Sequence, residues 1–498
     1  MAKKKKNKTP RKAETPETQV AVKRPILRVT LRFLIICLIF TAVLYFIDSK
    51  GVFEPSKINN HIEKKWNSIH EFTKNNDVDI LLVGNSHLYT GLNPKNLSTR
   101  LANNAFVIAS PGTHIGDTYF ALKEAINLSK PKLVVVETYG IKEFNPYQLD
   151  GADLSDQLKS FAARKNFWKK LNSTPFLFKP ENYGYAWSNT LRNHDFLLNN
   201  YEQIEKNLSP RSRFSKKKND KLYLGRYVRF STGLEDSVLN LYENNGAPVD
   251  GSEYEWNEYT QKYVEKIVNL CNDENIELMF FTIPMYEKHV KNYDSWKKEL
   301  SKLIKPTNKK WLDFQLAEEV TNFTPEHFEN TYNDNQHLTY KGSLKATYKL
   351  ADFVDQNFSL PSRADESSWH DLFYGEEGYF RHFPPKKKDK KSKLVNENVN
   401  LNGVTAADIT YYKHEKNWVL QARFKKEELE NLKDIKNYKV YLNLTFEFEG
   451  KVTKATLDLL YDEYHTNPDY YLFSRSVKPL KILDANTGQV AHKNKGPL

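Results

Sequence analysis

Three short apolar runs constrain the fold of this chain more than any other feature. Asp79-Ile-Leu-Leu-Val83, Ala105-Phe-Val-Ile-Ala109 and Lys132-Leu-Val-Val-Val136 each carry at most one charge, at their first position. A strand that is apolar on both sides is covered on both faces, as in a parallel sheet flanked by helices. The segments between the runs read as helices. Asn93-Pro94 forms an N-cap and first-turn pair for a helix to about Leu101. Asp117 to Leu128 reads as a second helix. Strands alternating with helices predict an α/β fold: a parallel sheet in a three-layer α/β/α sandwich.

The pattern lapses over about 145–250, which is polar, aromatic and weakly periodic, and reads as a long insertion, helical in part. It resumes with a helix at about 255–272, a strand at 276–283, a helix near 296–304 and a short strand at 311–314. A last helix spans about 340–354, with Leu344, Tyr348, Ala351 and Val354 on one face. The α/β domain is therefore expected over 79–360. A linker follows at 361–393, with His382-Phe-Pro-Pro and a lysine-rich run through Lys393. Beyond it the character changes. Val440, Leu442, Leu444, Phe446 and Phe448 alternate with polar residues, Glu449-Gly450 turns, and Val452 to Leu460 pairs back. Residues 394–498 read as a small β-rich domain.

Residues 33–47 carry no charge, and extension back to Ile26 gives about twenty residues, enough to cross a bilayer core as a helix. No small-x-small site follows, since Phe46-Ile47-Asp48 is wrong for signal cleavage, so the segment reads as a retained anchor over 26–48. Residues 49–78 then read as a polar, partly helical stalk. Of the net charge of +12, a net of +9 lies in the first 32 residues. The basicity is thus a topology signal on a tail at 1–25, not a nucleic-acid groove. The positive-inside rule places that tail in the cytoplasm and everything after Asp48 outside, a single-pass protein of the cell membrane. The two cysteines, Cys37 in the span and Cys271 far downstream, form neither a disulfide framework nor a zinc pattern.

Chemistry-bearing residues cluster in two places. The first strand ends in Gly84-Asn85-Ser86-His87. A serine at the carboxyl end of a parallel strand projects from a rigid support into the region where ligands gather. Far downstream, Asp334-Asn335-Gln336-His337 precedes the last helix. Histidine is the base a serine hydroxyl needs near neutral pH, and an acid three residues earlier can hold its tautomer. Each motif has a bland reading, a turn serine and a helix cap; together they are far more specific. Asn85, His87 and His114 are possible site-lining residues, with surface or packing roles as the ordinary alternative. His327 and Glu326 lie near the second motif but show no metal-ligand spacing. No cofactor and no metal is expected. Tyr183, Tyr185 and Trp187 are a possible sugar-stacking surface, or simple packing of the insertion.

The arrangement resembles the SGNH/GDSL hydrolase superfamily over about residues 79–356. Gly84 to His87 matches the nucleophile block, with Asn for Asp, and Asp334 to His337 matches the block that supplies the other two triad members. Ala109-Ser-Pro-Gly112-Thr-His-Ile-Gly116-Asp117 resembles the glycine block. The resemblance implies Ser86, His337 and Asp334 as catalytic triad, with the backbone N–H groups of Ser86 and Gly112, or alternatively Gly116, as the oxyanion hole. One departure stands out: the block after the third strand reads Glu137-Thr138-Tyr139-Gly140, without the family's asparagine. An anchor, this nucleophile block and the missing asparagine are similar to bacterial envelope acyl-modifying members, the O-acetyltransferases of alginate and peptidoglycan and the teichoic-acid D-alanylation protein. The resemblance implies an O-acyltransferase or esterase acting on an envelope polysaccharide outside the membrane, and a multi-pass membrane acyltransferase as partner. The rival from another class is a non-catalytic envelope scaffold or glycan-binding protein of the same fold.

Overall fold

The computed structural model describes residues 17–53, 61–141, 145–193, 201–208, 224–226, 233–315, 323–374, 392–414, 417–432, 435–448, 451–461, 470–477 and 481–492. The chain divides into two units, one of residues 1–60 with 179–216 and one of residues 61–178 with 217–498.

In the first unit, helix α1 (Glu17–Ser49) carries the apolar segment. Its part Ile26–Ser49 is long and apolar enough to cross a membrane, and its side chains are exposed. The chain just after it is tied down by polar contacts. The Asp48 carboxylate accepts from the Thr190 backbone N–H and hydroxyl at 2.7 and 2.6 Å. The Asn193 and Asn207 amides donate to the carbonyls of Phe53 and Val52. The helix Tyr183–Trp187, with its three aromatic rings, belongs to this unit.

The second unit begins with α2 (His61–Phe72). Residues 61–72, expected as part of a stalk, instead pack into a core. Ile62, Trp66, Ile69 and Phe72 are buried, and the Phe72 ring lies 5.8 Å from that of Phe106. Their spacing puts them on one helical face, and apolar burial outweighs the polarity of the rest. A parallel sheet follows, built from β1 (Ile80–Gly84), β2 (Ala105–Ala109), β3 (Leu133–Glu137), β4 (Glu277–Thr282) and β5 (Lys310–Asp313). Every residue of β1, β2 and β3 is buried, as the uncharged runs required. The helices between them are α3 (Ser86–Gly91), α4 (Pro94–Leu101) and α5 (Ile115–Ala125). The insertion supplies α6 (Gly151–Ala163) and α7 (Phe167–Leu177). Then come α8 (Glu258–Asp273), α9 (Tyr293–Ile304) and α10 (Tyr340–Asn357). Asn93 caps α4 through its side chain and Thr339 caps α10.

Strand order is β2-β1-β3-β4-β5, all parallel. The direction of winding reverses between β1 and β3, and in open sheets of this kind ligands bind outside the carboxyl ends of the strands at that switch. The core joins Leu82, Val107, Val135 and Phe281 of the sheet to Leu88 of α3, Leu97 of α4 and Leu350 of α10.

Residues 361–374, expected as linker, also belong to this packing. Arg363 clamps the Asp79 carboxylate with two hydrogen bonds of 2.6 and 2.9 Å, and Trp369 is buried with its indole N–H on the Asn103 carbonyl. The proline and lysine run at 382–391 lies outside the described residues. The C-terminal region is a seven-stranded antiparallel sheet of β6 (Ser392–Leu401), β7 (Val404–His414), β8 (Asn417–Lys425), β9 (Tyr438–Phe448), β10 (Lys451–Tyr461), β11 (Tyr470–Val477) and β12 (Lys481–His492). Their order is β12-β9-β10-β11-β8-β7-β6. The expected hairpin is β9–β10, in register Val440↔Leu459 and Leu442↔Leu457; its turn at Glu449-Gly450 lies outside the described residues. This region has its own core around Leu401, Ile409, Leu420, Phe424, Val440 and Leu442.

Candidate active site

Ser86 is the first residue of α3, immediately past the end of β1, so the sheet fixes its position. Asn85 caps that helix: its side-chain oxygen accepts from the His87 N–H at 2.9 Å, satisfying one of the donors a helix start leaves open. The turn is braced from β3. The Glu137 carboxylate accepts from the backbone N–H groups of Tyr139, Gly140 and Asn85. Gly84 lets the two strands approach, since a Cβ there would lie 2.7 Å from that of Glu137. Burial pushes the Glu137 carboxyl up to about 8, against those three donors. The glycine block joins the same place. Ser110 N–H donates to the Gly84 carbonyl, and Gly140 is close to Asn85 and to the Thr113 carbonyl. Gly112 adopts φ +55°, and its missing Cβ is what admits the Asp156 carboxylate of α6. Gly116 sits within the first turn of α5 instead.

His337 arrives from the far end of the domain on a tightened loop. Phe328 and Leu338 form an antiparallel bridge, and Glu329 N–H donates to the His337 carbonyl at 2.9 Å. This loop is pinned from within. The Gln336 side chain accepts from Tyr286 N–H and donates to the Tyr242 hydroxyl, which contacts His289 Nδ1 at 3.1 Å. Burial holds His289 down to about 4, a neutral imidazole, with the charge of Asp334 working against it.

Ser86 and His337 are both only 6% exposed. The ring of His87, the residue after Ser86, stacks on the His337 ring with centroids 4.8 Å apart, and lies 3.7 Å from the Tyr139 ring. The nucleophile turn, the loop after β3 and the histidine loop therefore meet at the switch point of the sheet. His114 is not part of this stack: it precedes α5 and its Nε2 lies 3.8 Å from the Asp153 carboxylate of α6.

Two residues differ from the sequence expectation in placement. The carboxylate set against His337 Nδ1 is that of Glu329, at 3.3 Å and buried. Asp334 is exposed; its backbone carbonyl accepts from the Tyr139 hydroxyl at 2.6 Å. Glu329 escaped notice because a bridge across the loop, rather than a fixed sequence spacing, brings it to His337. The site of the missing asparagine is also resolved. The Thr138 hydroxyl is buried against that of Thr282 at 2.6 Å, and the Tyr139 hydroxyl is held by Asp334. Glu326 bonds Lys341, and His327 closes a capping box with Thr324. Among the described residues no group of three acidic, histidine or cysteine side chains is placed to hold a metal ion.

No known family model matches the chain, and no curated protein matches it. Among solved structures the chain is similar to a two-domain esterase active on acetylated mannans, co-crystallised with mannopentaose. That likeness has a TM-score of 0.25 and 9% identity over 87% of this chain and 95% of the esterase. At that TM-score it carries no inference about chemistry.

Proposed function

We propose that this chain is a membrane-anchored, serine-dependent O-acyltransferase or esterase of the SGNH type, built on a three-layer sandwich and acting on a cell-envelope polysaccharide. One observation carries the reading: the turn bearing Ser86 and the loop bearing His337 meet at the carboxyl edge of a parallel sheet, their neighbouring rings stacked 4.8 Å apart.

In the proposed reaction His337 carries its proton on Nδ1, facing a carboxylate, which leaves Nε2 as the base. Ser86 Oγ attacks the ester carbonyl as Nε2 takes its proton. The backbone N–H groups of Ser86 and Gly112 stabilise the oxyanion. The tetrahedral intermediate expels the alcohol, which receives the proton from His337, and an acyl-serine remains. A sugar hydroxyl, or water, then repeats the sequence in reverse. The close carboxylate at Nδ1 favours Glu329 for the orienting role; the DxxH spacing favours Asp334. A hole lacking a side-chain donor suits a transferase that meets a delivered acyl group better than a fast hydrolase, because each such donor is worth about 10²–10³ in rate. In this reading a multi-pass membrane acyltransferase supplies the acyl group, and the apolar helix holds the catalytic domain beside it on the extracytoplasmic side.

The second reading, a non-catalytic envelope scaffold, is favoured by the engagement of the Thr138 and Tyr139 hydroxyls elsewhere. A fluorophosphonate probe separates the two. It should label the wild-type chain covalently at Ser86, with no labelling of Ser86→Ala and strongly reduced labelling of His337→Ala. A folded wild-type protein that stays unlabelled sinks the enzyme reading.

A further inference from the structure

Helix α7 is inverted for a helix on a water-exposed surface. Its inward side carries polar groups beside the buried Leu177. Ser173 and Thr174 are buried, Ser173 Oγ accepts from Arg164 Nη1 at 3.1 Å, and Lys170 Nζ reaches the Ala162 carbonyl. Arg164 is itself held at 3.1 Å by the buried Glu124 of α5, whose carboxylate also accepts from the backbone N–H groups of Lys165 and Asn166. This buried ion pair fixes which way α7 faces. The outward side is apolar. Phe167, Leu171 and Pro175 form one row at four-residue spacing, and Trp168, Asn172 and Phe176 the next. Phe167 is 56% exposed, Trp168 69%, Leu171 44% and Phe176 47%. A soluble surface normally presents the opposite pattern, and contiguous exposed apolar groups mark an interaction face.

Two observations identify what covers it. The face is bordered by lysines: Lys169 of α7 donates to the Lys123 carbonyl at 2.8 Å, Lys266 Nζ lies 5.4 Å from the Phe176 ring centroid, and Lys165 precedes the helix. Aromatic and leucine side chains bordered by lysine are the composition of a helix lying in a membrane interface with anionic lipid. The second is covalent reach. Glu63, in the first turn of α2, bonds Lys165 Nζ at 2.9 Å, so the start of α7 lies beside the point where the chain enters this unit. Only eleven residues separate that helix from Ser49, the end of the apolar span, a tether of roughly 40 Å at most.

We propose that the exposed face of α7 (Phe167, Trp168, Leu171, Phe176) docks into the interface of the same bilayer that α1 spans, seating the domain against the membrane. The proposal rests on the reading of α1 as an anchor. The test uses the full chain reconstituted in vesicles of phosphatidylcholine and phosphatidylglycerol, with and without dibrominated acyl chains, comparing wild type with Trp168→Phe. Flotation with the vesicles reports the anchor and should be equal for both proteins. The fluorescence that Trp168→Phe loses should be the component that brominated lipid quenches and aqueous iodide does not. Flotation with a Trp168 component open to iodide and insensitive to brominated lipid overturns the docking alone. A component shielded from both means that a protein surface covers the helix, which also overturns it. Failure of both proteins to float overturns the anchor and the docking together.

Discussion

At the scale of single residues, the question is which acid serves His337. A partner of the ring must face Nδ1 and be shielded, so that its charge acts in a low-dielectric setting. Glu329 meets both conditions, at 3.3 Å and buried; Asp334 is exposed. Glu329→Gln should lower kcat/KM on a small acetyl ester by roughly 10²–10⁴, whereas Asp334→Asn should cost less than about tenfold. The reverse order of the two losses returns the role to Asp334. A second residue acts through the nucleophile turn. Glu137 is buried, and its carboxyl is raised to about 8 from an unfolded value near 4.5. Between those values the folded chain binds the extra proton, so stability falls as pH rises through that window and is fully retained below about 4.5. Tyr139, itself raised by burial and by the charges of Asp334 and Glu137, faces the same carboxyl. Glu137→Gln should remove this dependence. Relative to wild type it should gain, on the order of a few kcal/mol, between about pH 5 and 9 in urea unfolding. A stability difference that does not vary with pH would show that the carboxyl does not titrate there.

At the scale of elements, the strands were legible because burial on both faces leaves a sequence signature that tertiary context does not disturb. The runs at 79–83, 105–109 and 132–136 became β1, β2 and β3 within one residue. The Asn93 cap was equally readable, its side chain accepting from the Asn96 N–H of the helix it starts. Helix α2 was harder to read because its buried face includes a lysine. Lys65 is buried over the Tyr89 ring at 3.4 Å and donates to the Ala109 carbonyl at 2.8 Å, and loss of hydration holds its ammonium well below the usual range. A charged residue beside Trp66 looks like solvent exposure until its partners are known. Helix α7 is the converse: its apolar residues look like a core stripe, and only the Glu124–Arg164 pair on its inner side shows that the stripe faces outward. The candidate site divides in the same way. Ser86 and His337 follow from strand ends and loop motifs. Glu329 and Glu137 depend on how two loops fold back, which no local spacing records.

At the scale of the whole molecule, the proposed function depends on which side of a membrane the unit carrying Ser86 and His337 occupies. The charge distribution is lopsided: the first 32 residues hold eleven Lys or Arg and two Glu, leaving a net of only +3 for the remainder. Ile26–Ser49 carries three charges: Arg28 and Arg32 near its start, where long basic side chains reach the interface, and Asp48 at its end. Retention of a cationic tail in the cytoplasm is the dominant orientation signal for a single span, with each charge near an anionic leaflet worth about 1 kcal/mol. The expected outcome is an N-terminus inside and residues from about 50 onward outside. Protease added to intact spheroplasts should digest the large downstream part and leave an N-terminal epitope tag protected. After lysis the tag should be lost as well. An exposed tag with a protected downstream part would invert the orientation. It would leave the Ser86–His337 chemistry intact but place it in the cytoplasm, away from any envelope polysaccharide, so the substrate class would fall even if the acyl-serine survived.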